Sequence, residues 1–182
     1  VGLRSERQVL REGERAELSA IVVDLDGERV SGRDVDLEVI RKETTRTAVE
    51  KDGRWVFEYD TKEIDVGSCD LTSSSAPASG EVTVGVAGAY TVRGKAKDAK
   101  GREAFSEMSI YVLGKDAVVW EDHEQRIDLV PDKSEYAPGD KATVMLRSPF
   151  AEARGVVVVE REGIATELPI HLVGGSHVVE IP

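Results

Sequence analysis

An antiparallel β-sandwich is the fold class the sequence predicts, and three observations predict it. Apolar and polar residues alternate with period two in one segment after another. Glycine-containing turn dipeptides separate those segments at short intervals. No run of ten or more residues carries a 3.6-residue period, so no helix is expected. Together they predict an all-β chain of immunoglobulin-like or fibronectin-like architecture.

The elements follow in order. From Glu17 to Asp24, Leu18, Ala20 and Val22 share one face. Val35-Asp36-Leu37-Glu38-Val39 puts apolar residues on one side and acids on the other. Tyr90 to Lys97 alternates with Arg93, Lys95 and Lys97 on the wet side, and Met108, Ile110 and Val112 share a face in Glu107 to Leu113. Leu18, Leu37, Val92 and Ile110 are therefore expected to face a single interior. Turns are expected at Asp26-Gly27, Asp52-Gly53, Gly88, Lys100-Gly101 and Gly174-Gly175, because glycine takes positive φ without steric cost. The small polar run from Ser73 to Gly80 reads as an exposed, mobile loop.

Composition narrows the function. The 182 residues carry 24 Lys and Arg against 35 Asp and Glu, a net charge of −11. That acidity opposes nucleic-acid binding, which needs basic surface to displace counterions from phosphates. No apolar run approaches the roughly 18–20 residues that span a bilayer. The opening Val1-Gly2-Leu3 is not a signal peptide and reads as a cut inside a longer protein. Cys69 is the single cysteine, which excludes an internal disulfide, and its parity with Leu71 predicts a buried, inert thiol.

An internal repeat organises the chain. Leu3 through Leu18 matches Leu129 through Val144 without gaps at a constant offset of 126 residues, Gly13 falling on Gly139 and Ala16 on Ala142. Two consecutive units are expected: residues 1–114, a connector at 115–126 and the first part of a second unit at 127–182. The connector holds Trp120, whose ring is expected to plug the junction between the units. In the second unit, strands are expected at Ile127–Val130, Ala142–Arg147, Val156–Arg161, Glu167–Val173 and His177–Ile181. Such an incomplete sandwich exposes unpaired strand edges, and self-association through them is expected.

The residues that carry chemistry elsewhere form no site here. The three histidines, His123, His171 and His177, have no nucleophile or acid partner in a catalytic pattern. His171 shares parity with Pro169 and Val173, and His177 with Val179 and Ile181, so the two should point to opposite faces and not share a metal. Asp24, Asp26 and Asp34 around one hairpin are weighed as calcium ligands against their usual role in capping turns, which is preferred. No catalytic, cofactor-binding or metal residue is assigned, no cofactor is expected, and the chain is not expected to be an enzyme.

The second unit carries a recognisable pattern in Ile127 to Leu146, especially Tyr136-Ala-Pro138-Gly139-Asp140, with Ser148-Pro149-Phe150 and Val158 to Ile164. It resembles a macroglobulin-like domain of the bacterial alpha-2-macroglobulin family. The first unit resembles the preceding domain of that family through Val22 to Gly27, Gly88-Ala89-Tyr90, Asp98 to Arg102 and Tyr111 to Trp120. The second-unit motif is the more specific of the two. The resemblance implies two macroglobulin-like sandwiches in an extracytoplasmic, periplasmic or cell-surface endopeptidase trap. Neighbouring domains of the parent chain would then be the partners, with target proteases met through the parent and a membrane anchor carried, if at all, elsewhere in that chain. Family traps use a cleavable bait segment, and many add a Cys–Gln thioester. Neither is visible: Glu124-Gln125 has no cysteine at thioester spacing, Cys69-Asp70-Leu71 has no following Glu-Gln, and Ser73–Gly80 lacks Lys and Arg. Composition and turns alone would also suit an adhesin or carbohydrate-binding module of a cell-surface protein.

Overall fold

The computed structural model describes residues 1–120 and 126–182. Thirteen strands and no helix occur among them, so the all-β expectation holds. The chain divides into two compact units, one of Val1–Glu43 with Lys62–Leu113 and the other of Thr44–Thr61 with Gly114–Pro182.

The first unit pairs two sheets. One is β1 (Gly2–Ser5), β3 (Arg15–Ile21) and β6 (Ala78–Thr83), antiparallel in the order β1-β3-β6. The other comprises β2 (Val9–Arg11), β4 (Asp34–Lys51), β5 (Arg54–Thr72), β7 (Gly88–Lys97) and β8 (Glu103–Leu113), in the order β2-β8-β7-β4-β5. Strand β2 runs parallel to β8, with Val9 beside Tyr111. Alternation sets the interior: Leu18, Leu37, Val92 and Ile110 are each at most 2% exposed and belong to one cluster with Val39, Tyr90 and Val112. Tyr90 joins the core because its hydroxyl finds a partner, donating to Val86 O at 2.6 Å. On the opposite face of the larger sheet the charges pair across strands, Lys95 with Glu38 and Arg93 with Glu107, each at 2.6 Å.

Gly94 lies in β7 opposite Leu37. A Cβ there would stand 2.6 Å from Leu3 Cδ2 of the other sheet, so the missing side chain is the hole that Leu3 fills.

Two features depart from the sequence reading. The segment Ser73–Gly80 is an exposed loop only over residues 74–77. Strand β6 starts at Ala78, and Ser73 is 3% exposed. Its Oγ accepts the Arg33 N–H and donates to Val30 O, while its backbone bonds to Gly32 and Arg33. The small residues serve packing: a Cβ on Gly80 would overlap Cys69 Sγ. Cys69 itself is half-buried against the first core and not fully enclosed. The second departure is the length of β4 and β5, 18 and 19 residues. They are joined by Asp52 and Gly53 at φ 52° and 75°, the two-residue hairpin turn whose twist matches the flanking strands.

In the second unit one antiparallel sheet runs in the order β11-β12-β13-β10-β9, from β9 (Asp128–Pro131), β10 (Ala142–Arg147), β11 (Glu152–Glu160), β12 (Ile164–Val173) and β13 (Ser176–Ile181). All five fall on the expected segments. Val144, Leu146, Val157, Leu172 and Val179 form its core. The hairpin tip Thr44–Thr61 belongs to this unit as well.

The repeat is visible in register. Leu3 faces Ala20 in β1–β3, and Leu129 faces Leu146 in β9–β10, each residue shifted by the same offset. The turn between these strands is also the same. Glu14 accepts the Arg11 N–H at 2.8 Å and Asp140 accepts the Ala137 N–H at 3.0 Å, beside Gly13 and Gly139 at φ 82° and 92°. An acid three residues on from a free N–H, next to a left-handed glycine, is therefore a local device used twice.

Candidate functional site

Asp24 uses its carboxylate on its own hairpin: Oδ1 accepts the N–H of Asp26 at 3.0 Å and of Glu28 at 2.9 Å. Asp98 repeats this on Lys100 and Arg102 at 2.8 and 2.9 Å, and Oδ2 takes the Arg102 guanidinium. These backbone bonds and the Arg102 hydrogen bond hold the Asp98 carboxyl below its usual pKa, against a small desolvation effect. Both Asp-x-x-Gly loops are thus turn caps. Asp26 and Asp34 do not join Asp24 in a ligand cluster, and no group of three or more His, Cys, Asp or Glu converges among the described residues.

The two capped hairpins flank an open groove of about 550 Å³ in the first unit. Val23 and Leu25 form its apolar lip, Leu25 fully exposed, and Arg33, Lys97 and Lys100 add positive charge. This arrangement offers a contact surface of mixed apolar and charged residues.

The histidines stay apart. His171 points to the exposed face of β12 and pairs with Glu152 at 2.8 Å, whereas His177 stands opposite Leu146 and shares its parity with buried Val179. His123 and the Glu124-Gln125 pair lie outside the described residues.

Trp120 is 6% exposed and sits inside the second unit. Its Nε1 donates to Gly175 O at 2.9 Å, and the Arg147 guanidinium lies 5.6 Å from the ring. Gly175 is required there: its φ is +81°, and a Cβ would meet Val118 O at 2.7 Å. A shallow cleft of about 80 Å³ beside it is lined by Arg46, Tyr59, Pro149 and Phe150. Arg46 stacks 4.5 Å from the Phe57 ring and reaches Pro149 O at 3.4 Å. Trp55 and Phe57 are 73% and 56% exposed on the same face of the hairpin tip. Sequence reasoning did not find these aromatics, although alternation of Trp55, Phe57 and Tyr59 within one strand was the available signal. Asp128 ties the unit's edge strand to β10: burial raises its pKa, but the Arg147 hydrogen bond and charge, with Arg126, outweigh this and hold it low.

The geometry therefore offers surfaces and turn caps, and comparison with known proteins supplies the family. Residues 2–112 match the model of bacterial macroglobulin domain 6. The chain belongs to that family. It is similar to an alpha-2-macroglobulin homolog of Nostoc sp., 27% identical over 154 residues, covering 84% of this chain and 8% of the relative. Among solved structures it is similar to the native conformation of Escherichia coli alpha-2-macroglobulin, with a TM-score of 0.52 and 19% identity over 97% of this chain and 11% of that one. Salmonella alpha-2-macroglobulin reacted with methylamine gives a TM-score of 0.51 and 17% identity over 100% of this chain and 12% of that one. At those identities the structures speak for the fold. The chain spans about a tenth of the length of these relatives, and the family resemblance read from the sequence is borne out.

Proposed function

We propose that the chain is a non-catalytic scaffold portion of a periplasmic or cell-surface, alpha-2-macroglobulin-like endopeptidase trap. It comprises a macroglobulin-like sandwich at 1–114, a connector at 115–126 and the first part of a second sandwich at 127–182. The match of residues 2–112 to a bacterial macroglobulin domain carries this reading. Side-chain chemistry supports it: the conspicuous carboxylates cap turns or pair with bases, and the buried residues are almost all apolar. Its partners are neighbouring domains of the parent chain, and it meets target proteases only through that parent.

The test is a titration of several endopeptidases with excess chain, alongside an assay for peptide hydrolysis. Neither inhibition nor hydrolysis is expected. Stoichiometric inhibition by the chain alone would overturn the scaffold role, and turnover of peptide would overturn the non-enzymatic one.

A further inference from the structure

Strands β4 and β5 belong to both units. β4 runs from Asp34 to Lys51 and β5 from Arg54 to Thr72, yet the division between the units falls inside them, after Glu43 and before Lys62. Strands of globular proteins are usually about 3–10 residues long, so a hairpin of this length needs a physical reason.

Its root is set in the first core. Val35, Leu37 and Val39 are fully buried, and β4 keeps register with β7 from Val35 opposite Ala96 to Lys42 opposite Ala89. Beyond Lys42, β5 is the only strand beside β4 among the described residues. From Glu43 to Lys51 the ribbon then extends roughly 25 Å at the usual strand rise. A two-stranded ribbon is marginal in water by itself. This one is held inside the second unit, where Arg46 donates to Pro149 O at 3.4 Å and stacks on Phe57. Arg46 and Tyr59 also line the cleft beside Trp120 and Phe150. Between root and seat, the Thr44 and Thr61 hydroxyls bond across the ribbon at 2.9 Å. Side chains alternate faces along a strand, so the register fixed at Leu37 decides which face Arg46 and Tyr59 present. The second unit therefore takes part of its packing from strands that it does not itself position.

We infer that the β4–β5 hairpin is a coupling strap: the second unit holds its fold only while the first is folded. Arg46 and Tyr59 are its working contacts, presented by strands registered in the first core. The dependence runs one way, because the first core closes without any residue of the hairpin tip.

The full chain tests this, with Trp55→Phe as the background so that buried Trp120 alone reports on the second unit by fluorescence. Hydrogen exchange across β7 and β8 reports on the first core, and across β10 and β13 on the second. In one variant a single alanine is inserted into each strand, between Glu43 and Thr44 and between Thr61 and Lys62. The ribbon stays paired, but Arg46 and Tyr59 turn to its other face. Exchange across β10 and β13 should quicken by about tenfold or more, and the Trp120 urea midpoint should fall, with β7 and β8 unchanged. Arg46→Ala with Tyr59→Ala should reproduce this effect. In the converse variant, Leu37→Asp with Val92→Asp places two carboxylates in the first core and unfolds it. Trp120 emission should then be that of an exposed indole even without urea. A second unit that keeps its exchange protection and its buried Trp120 beside an unfolded first core overturns the proposal. So does a second unit indifferent to the paired insertion or to loss of Arg46 and Tyr59.

Discussion

Replacing Gly94 with alanine tests how the two sheets of the first unit come together. The new methyl would stand 2.6 Å from Leu3 Cδ2 and 3.1 Å from Leu37 Cδ2. Ordinary carbon–carbon contact begins near ~3.5 Å, so Leu3 must retreat by about 0.9 Å, or the sheets must part. Leu37 is fully buried and has nowhere to go. Overpacking of this kind costs about 1–3 kcal/mol, while loss of glycine's conformational freedom within a strand returns about 0.5–1 kcal/mol. Gly94→Ala should therefore destabilise by about 0.5–2 kcal/mol. Truncating Leu3 to Ala removes the nearest clash, so in that background the same substitution should be close to neutral. Urea unfolding followed by far-UV circular dichroism, on the two single variants and the double, gives the coupling between the sites. A coupling of about 0.5–2 kcal/mol is expected. If Gly94→Ala costs the same with and without the Leu3 side chain, knob-into-hole packing at this point is refuted.

Two further outcomes follow from the cores and edges. Leu37→Ala should cost about 2–5 kcal/mol in the same unfolding measurement, and a loss below about 1 kcal/mol would mean that Leu37 does not face the interior. Asp128 has a folded pKa below its ordinary value, so its contribution is full at neutral pH and fades as pH falls through and below the ordinary Asp range. The stability gap between the wild-type chain and Asp128→Asn should therefore shrink toward acid, as read from urea midpoints between neutral and acid pH. A gap that stays constant would count against the Arg147 pairing as its source.

The sequence was most legible where one strand face meets the core and the other meets water. Val35 to Val39, Tyr90 to Lys97 and the five strands of the second unit all declared themselves through parity. The outer reaches of β4 and β5 were missed because all residues from Glu50 to Glu58 are exposed, so the alternation of Trp55, Phe57 and Tyr59 marks no buried face. Parity misleads where small residues are needed for close approach. Ala78-Ser79-Gly80 has the composition of a loop, yet it is a strand because Cys69 requires the space over Gly80. The three-residue β2 is too short to show alternation, so its parallel pairing was not readable. On the functional side, preferring turn capping over calcium for the hairpin aspartates agrees with Asp24, whose carboxylate accepts two N–H groups of its own turn. The more specific motif lay in the second unit, yet the family match falls on residues 2–112 of the first.

The parallel pairing of Val9 with Tyr111 bears on how the first unit is made. Hairpins such as β7–β8 close from neighbouring residues and can form as soon as they are synthesised. Strand β2 cannot, because its hydrogen-bonding partner is separated from it by about a hundred residues of chain. During synthesis β1 can pair with β3 at once, whereas β2 must wait for this pairing until β8 emerges. Within this unit β2 is therefore made well before it can be locked, and only β8 locks it. Loss of β8 would leave Val9-Leu10-Arg11 without their parallel partner, although every residue before them could still fold.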